Sequence, residues 1–236
     1  MPRARDWVAL LALLASAGAA GAADPIRPEA YATLQGQLAG RLSFESPDAG
    51  PEPGLLLPQG YRSRGAAAGE RLAGQELLVV RDDADRRFDA LRGAPSTPLS
   101  IAPGEPGQSM ALARHRGLGS VAAFPLGPKG FPDIAARGEG AFAVLFDVDQ
   151  RATGLRLHAD YADPLGAHPA PGRGEIAFYA RDGRLLARHQ IDFTHGVMEL
   201  GFVSEREDIA AFTLTQTDPG GIAIDDVLYD LQAPTS

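Results

Sequence analysis

The chain has 236 residues, with 22 Lys and Arg against 30 Asp and Glu, a formal net charge of −8 and no cysteine. The acidic balance argues against a nucleic-acid-binding protein, which needs a basic surface to neutralise phosphates. The lack of cysteine excludes disulfides, thiolate metal sites and cysteine nucleophiles. With 44% hydrophobic residues the chain can form a proper core, and its 28 Gly and 19 Pro indicate many turns.

The first 23 residues have the three parts of a secretory signal peptide. Arg3 and Arg5 give a positive start, the apolar run WVALLALL begins at Trp7, and small residues with the A-x-A cleavage pattern follow through Ala22. The apolar run is shorter than the roughly 20 residues that cross a bilayer. The sequence therefore predicts a signal peptide at 1–23, no transmembrane anchor, and a mature protein that is secreted or periplasmic.

Residues 24–40 form a lead-in before the strand-like part of the chain. Pro28 suits the first turn of a helix, so a short N-terminal helix starting there and a flexible segment both fit this stretch. Further on, the charged run 81–92 predicts a short helical or loop excursion with a solvated surface.

From Arg41 onward, short apolar or alternating runs recur between turn signals. These runs are RLSFES, QELLVV, SVAAFPL, GAFAVLFDVD, GLRLHADY, GEIAFYA, RLLARHQIDF, VMELGFV, IAAFTLTQT and GIAIDDVLYD. Asp182-Gly183, between two of them, is a hairpin turn. Strands in succession without intervening helices predict an all-β fold, an antiparallel β-sandwich or barrel, that forms one domain over 41–232.

Two acidic pairs are candidate metal ligands. Asp147 and Asp149 alternate along a strand and therefore share one face. Asp225 and Asp226 are adjacent in the closing strand, so one of them points towards a partly apolar side. A buried carboxylate needs a cation or several hydrogen-bond donors, and either Ca²⁺ or backbone amides would satisfy it. If the first and last strands lie side by side, Glu45 approaches this second pair.

Catalytic motifs give no comparable signal. The five histidines lack an HExxH-type spacing, and there is no G-x-S-x-G elbow. Sugar-binding faces stack an aromatic ring on the ligand, but the only tryptophan, Trp7, lies in the predicted signal peptide. Tyr161 and Tyr179 are the remaining candidates for ligand-binding rings, and the alternative is that both pack in the core.

Residues 140–230 resemble exported bacterial jelly-roll domains of the galactose-binding-like kind, as found among PEP-CTERM-type secreted proteins. The resemblance rests on the strand FAVLFDVD, the Asp182-Gly183 turn, the phrase GFVS and the closing IDD strand. The IDD strand and the opening LSFES are also similar to MAM domains. In related calcium-bearing jelly rolls, a Glu of the first strand and an Asp of the last hold a structural Ca²⁺. The matching positions in this chain are Glu45 and Asp226 or Asp225, so the resemblance implies a structural Ca²⁺ at these residues.

The sequence as a whole predicts an exported, non-catalytic β-sandwich that acts as a binding or interaction module. The leading ligand class is a glycan or another extracellular polymer. One alternative is a hydrolase of polysaccharide or ester substrates, which needs a carboxylate pair or a Ser–His pair in a concave site. The other is a structural component of an envelope or matrix without a small ligand.

Overall fold

A computed structural model of the protein describes residues 25–45, 48–82, 84–159 and 169–231. Within these ranges lie sixteen strands and one α-helix, so the predicted all-β fold is confirmed. The predicted signal peptide lies outside the described residues. No helix in the described ranges is both long and apolar enough to cross a membrane.

In chain order, the strands are β1 Ile26–Glu29, β2 Gly40–Leu42, β3 Leu55–Leu57, β4 Tyr61–Ser63, β5 Ala66–Gly69, β6 Glu76–Arg81, β7 Arg87–Arg92, β8 Met110–His115, β9 Ser120–Pro125, β10 Phe142–Gln150, β11 Ala152–Ala159, β12 Arg173–Tyr179, β13 Leu185–Asp192, β14 Gly196–Ser204, β15 Ile209–Gln216 and β16 Ile222–Tyr229. The helix α1 spans Tyr31–Gln37, and a short 3₁₀ helix spans Ile134–Ala136.

The strands form two antiparallel layers and a separate hairpin. The eight-stranded sheet has the order β1-β14-β11-β16-β9-β8-β3, with β2 added beside β16. The six-stranded sheet has the order β13-β12-β15-β10-β5-β4, and β6 pairs only with β7. The chain crosses between the two layers after β3, β9, β10, β11, β13, β14 and β15.

The core lies between the two sheets and follows the two-residue period of the strands. Phe142, Val144 and Phe146 of β10 and Leu155 and Leu157 of β11 are fully buried members of the same cluster. The β11 residues that alternate with Leu155 and Leu157, by contrast, lie on the outer face of the eight-stranded sheet. This alternation is what the sequence patterns of the long strands predict.

The first strand-like run lies beside the last one, as predicted. In the pairing of β2 with β16, Leu42 is opposite Val227 and Gly40 is opposite Tyr229. The Tyr229 hydroxyl donates a hydrogen bond to the backbone carbonyl of Arg64. Gly40 lies so close to Tyr229 that a Cβ atom there would meet the ring at 2.6 Å. A side chain larger than hydrogen is therefore excluded at this point.

Two local predictions need correction. The short helix predicted for the lead-in is present, but its predicted start is wrong: it begins at Tyr31, whereas Pro28 lies in β1, which pairs with β14 at the edge of the larger sheet. Residues 81–92 contain the turn and second strand of the β6–β7 hairpin rather than a helix or loop. The turn forms because the Asp82 carboxylate accepts a 2.9 Å hydrogen bond from the Arg86 backbone, which offers the chain a local alternative to helix.

We predict that Gly40→Ala lowers the free energy of unfolding by about 1–3 kcal/mol, the usual cost of overpacking. The added Cβ would also lie 2.8 Å from the Tyr229 carbonyl oxygen, which belongs to the backbone and cannot move aside freely. Chemical denaturation measures the change. Gly36→Ala is the control, because its Cβ meets nothing within 4 Å and alanine favours the helix. Equal stability of the two variants would contradict the close β2–β16 packing.

Candidate functional site

The closing strand β16 contains a β-bulge at its acidic pair. Arg156 of β11 lies opposite Asp225, whereas Gly154 lies opposite Leu228, so β16 holds one extra residue between these points. Asp226 has a φ of 48°, in the left-handed region that Asp adopts more readily than most residues. The extra residue therefore sits at Asp226, and it changes which side chains face the core.

Because of the bulge, the expectation that Asp225 and Asp226 point to opposite faces is wrong. Ile224 and Val227 both belong to the core cluster although they are three residues apart. The two aspartates between them instead contact side chains on the outer face of the eight-stranded sheet. A regular strand would have placed one carboxylate in the core, where its desolvation is costly.

Two arginines neutralise Asp226. Its Oδ2 atom lies 3.2 Å from Nη1 of Arg41 and 3.4 Å from Nη1 of Arg156, and its side chain is 9% exposed. We call Arg41, Arg156 and Asp226 the arginine clasp. The Tyr31 hydroxyl donates a 3.4 Å hydrogen bond to the Asp226 carbonyl. Burial and then the charge of Asp226 raise the pKa of Tyr31 to about 12, so the hydroxyl remains a donor.

The other two predicted calcium ligands, Asp225 and Glu45, accept hydrogen bonds from other groups of the protein. Oδ2 of Asp225 accepts a 2.7 Å hydrogen bond from the Ser120 hydroxyl, and its Oδ1 accepts one of 2.8 Å from the Asp226 amide. Burial raises the pKa of Asp225, an effect that the Ser120 bond partly offsets. Glu45 accepts a 2.6 Å hydrogen bond from the Val121 amide, which ties the segment after β2 to β9.

Glu45, Asp225 and Asp226 therefore lie in one region but do not fit a calcium site. Ca²⁺ takes about six to eight oxygen ligands, whereas the charge of Asp226 is met by two guanidinium groups. The Asp225 carboxylate is instead stabilised by hydrogen bonds from a side-chain hydroxyl and a backbone amide. Among the described residues, no three His, Asp or Glu side chains are placed to hold one metal ion.

The second predicted acidic pair is also neutralised by arginine. Asp147 lies 2.9 Å from Nη1 of Arg62, and Asp149 accepts a 2.8 Å hydrogen bond from Nε of Arg181. Both carboxylates are partly exposed, so these pairs contribute little to stability.

Of the two tyrosines that the sequence predicts to bind a ligand, the structure describes only Tyr179. Tyr179 is 4% exposed and packs with Leu72 and Ala211 under the segment that covers the six-stranded sheet. Its hydroxyl accepts a 3.1 Å hydrogen bond from Nε2 of Gln75. The ring thus presents no free face for stacking on a sugar. Tyr161 lies outside the described residues.

A cleft of about 430 Å³ opens beside α1, between β1 and the turn from β10 to β11. We call it the α1 cleft. Its lining combines apolar side chains with carboxylates, guanidinium groups, a hydroxyl and amides. The lining residues are Leu34, Leu38, Val148, Ala152, Val203, Arg27, Glu29, Thr33, Gln37, Asp149, Gln150, Arg151, Glu207 and Asp230. The sequence alone does not reveal this cleft, because its residues come from well-separated segments and form no motif.

One wall of the α1 cleft is fixed by Gln150. This side chain is 1% exposed, and its Nε2 donates hydrogen bonds to the Val148 and Asp230 carbonyls at 3.0 and 3.3 Å. Its Oε1 accepts a 2.6 Å bond from the Asp230 amide. The end of β10 is thereby held against the end of β16, and the cleft has a preformed shape.

A group of buried acids lies where the β6–β7 hairpin meets the sandwich. The Asp89 amide donates a 3.3 Å hydrogen bond to the Glu139 carbonyl, and Oδ2 of Asp89 is buried without a hydrogen-bond partner. Fully buried Glu70 pairs with Arg71 and accepts a 3.4 Å bond from the Ser109 amide. Burial, with a smaller contribution from Glu70, raises the pKa of Asp89 to about 7.

Comparison with known proteins returned no match to a family model, a curated protein or a solved structure, so the resemblance to exported jelly-roll domains stays a prediction.

We predict that Asp226→Asn lowers the free energy of unfolding by about 1–2 kcal/mol, between the values for exposed and buried ion pairs. Asn tolerates the left-handed backbone, so the variant tests the charge alone. Glu76→Gln, which removes the exposed pair with Arg92, is the control and should cost under about 0.5 kcal/mol.

The same clasp predicts that neither Ca²⁺ nor a chelator changes the melting temperature of the wild-type protein. Guanidinium groups already neutralise Asp226, so the clasp has no uncompensated negative charge to attract a cation. A rise in melting temperature with added Ca²⁺, lost in Asp226→Asn, would contradict this assignment and restore the calcium hypothesis.

The buried acids predict that stability falls as the pH rises from about 4 to about 7. Because the folded pKa of Asp89, about 7, lies above its ordinary value of 3.8, the folded state binds more protons than the unfolded state in this window. At about 1.4 kcal/mol per pKa unit, the loss is at most about 4 kcal/mol. Asp89→Asn mimics the protonated acid, so its stability relative to wild type should increase with pH.

Denaturation of both proteins across this range measures the difference. The exposed Asp85→Asn in the same hairpin is the control, and it should shift stability by a small amount at every pH. A constant difference between Asp89→Asn and wild type would show that Asp89 does not titrate in this window.

Proposed function

We propose that the protein is an exported, non-catalytic β-sandwich module that binds a glycan, or another hydroxyl-rich extracellular polymer, in the α1 cleft. The observation that carries the proposal is a preformed cleft of about 430 Å³ with both apolar and polar lining residues. Pockets that take small molecules or single polymer units typically have about 300–1,000 Å³ and this mixed character. Export is proposed from residues 1–23.

The chemistry of the lining suits a neutral, hydroxyl-rich ligand. Sugar hydroxyls both donate and accept hydrogen bonds, so they match carboxylates, which accept, and guanidinium groups, which donate. Of the charged lining residues, Glu29 pairs with Arg27 and Asp149 pairs with Arg181 outside the lining, which leaves Glu207 and Asp230 against Arg151. This excess of acid disfavours an anionic polymer in this cleft. The apolar side chains offer a surface for the C–H faces of a sugar in place of an aromatic ring.

The hydrolase alternative has one feature in its favour and two against it. Asp89 has a pKa of about 7, as an acid catalyst requires. However, Asp89 is only 5% exposed and its Oδ2 atom, which lacks a hydrogen-bond partner, is buried away from solvent, which disfavours proton transfer to a substrate. The Ser–His route gains no support from His115, which is buried and accepts a 3.0 Å hydrogen bond from the Leu118 amide. The binding module is therefore preferred.

We predict that the purified protein retains a subset of neutral glycans on an array. The double variant Arg27→Ala/Arg151→Ala should bind the selected glycan at least about tenfold more weakly, because charge-assisted hydrogen bonds contribute about 1.5–3 kcal/mol each. Isothermal titration calorimetry measures the affinities. Arg114→Ala is the matched control, since this exposed arginine lies on β8, towards the other edge of the sheet from β1 and β14.

If the double variant bound the glycan with wild-type affinity, the binding site would have to lie outside the α1 cleft. The lack of any selective retention would favour the structural component without a small ligand.

A further inference from the structure

A second cleft, of about 340 Å³, lies at the turn of the β6–β7 hairpin, and we call it the hairpin cleft. It is lined by Arg86, Arg87 and Lys129 together with Asp85 and Glu139. Three cationic side chains thus converge on one concavity in a protein whose formal net charge is −8. The opposite balance holds in the α1 cleft, so the two clefts differ in the ligand charge that they favour.

The acids at the hairpin turn are already paired with arginine. Asp85 pairs with Arg81, and Asp82 accepts a 2.6 Å hydrogen bond from Nε of Arg86. Asp82 also accepts a backbone bond from Arg86, so its carboxylate is fixed in the turn. These acids therefore cannot neutralise the remaining cations of the cleft.

Two cations of the cleft form no ion pair within the described part of the chain. Arg87 and Lys129 are both exposed, and the charge of Lys129 acts on the Glu139 carboxyl of the cleft without forming an ion pair with it. In the hairpin, Arg87 lies directly opposite Arg81, whose charge is already met by Asp85. An anion bound in the cleft would supply Arg87 with an acidic partner and accept hydrogen bonds from its guanidinium group.

Glu139 makes the charge of the cleft depend on pH. Burial raises its pKa to about 7, against the lowering influence of Lys129 and Arg86. Asp133 and Asp82 add smaller raising contributions, and the buried Asp89 carboxyl, whose pKa is also raised, belongs to the neighbouring strand. When Glu139 is protonated, the cationic excess of the cleft increases.

We propose that the hairpin cleft binds an oxyanion, a sulfate or phosphate group, through Arg86, Arg87 and Lys129. The group is either a free anion or a substituent of an extracellular polymer. This site is separate from the α1 cleft and does not depend on glycan binding there.

The direct test is titration of the wild-type protein at low ionic strength, followed by nuclear magnetic resonance. The probes are sodium sulfate, a sulfated oligosaccharide and its unsulfated counterpart. We expect Arg87→Ala/Lys129→Ala to bind sulfate at least tenfold more weakly, and the control Arg114→Ala/Arg184→Ala, which removes two cations elsewhere, to change affinity less than twofold. The hairpin strands should keep their resonances in both variants.

Each outcome of this titration has a defined meaning. Binding of the sulfated but not the unsulfated oligosaccharide supports the site and identifies a polymer substituent. Binding of free sulfate alone supports the site and identifies a small anion. Failure of the wild type to bind either sulfated probe, or equal binding by the Arg87→Ala/Lys129→Ala variant, overturns the proposal.

A second measurement distinguishes a defined binding site from nonspecific electrostatic attraction. Sulfate keeps its charge near neutral pH, so we expect wild-type affinity to be higher one unit below the Glu139 pKa of about 7 than one unit above it. Glu139→Gln should bind more tightly than wild type at the higher pH and lose most of this dependence. An unchanged pH profile in Glu139→Gln would contradict the place of Glu139 in the site.

Discussion

The pairing of β2 with β16 is the contact on which the rest of the structure depends. It joins the start of the sandwich to its end, with Leu42 and Val227 in the core cluster on either side. The Tyr229 ring packs on Phe146, with ring centroids 5.7 Å apart, and so links this pairing to the six-stranded sheet. The same closure brings Arg41 to Asp226 and holds the lead-in helix over the outer face of the larger sheet. Without it, the arginine clasp would lose Arg41.

The bulge at Asp226 shows how the fold accommodates two adjacent acids in a buried strand. An extra residue in the left-handed region keeps the hydrophobic register of β16 and places both carboxylates on the outer face. Guanidinium groups then supply the charge that a cation would otherwise supply. Because such pairs gain little net stability over apolar packing, their main effect is to fix the position of the N-terminal segment.

Much of the fold could be predicted from the sequence, because the long strands from β9 to β16 combine apolar runs with clear turn signals. The short strands β3, β4 and β5 contain three or four residues each, too few to show a period. The bulge could not be predicted, since its signal is a single backbone angle. Glu45, Asp225 and Asp226 lie in one region because β2 pairs with β16, but the partners Arg41 and Arg156 come from positions that no motif marks. Both clefts combine distant segments, so no local pattern reveals them.

The arginine clasp depends on a sandwich that is closed by the pairing of β2 with β16. Nuclear Overhauser effects between backbone protons of 40–42 and 227–229 test this closure most directly. The closed sandwich predicts cross-strand contacts in the antiparallel register, with Leu42 opposite Val227 and Gly40 opposite Tyr229. Contacts that pair 40–42 with any other strand, while β16 still pairs with β11, would contradict it.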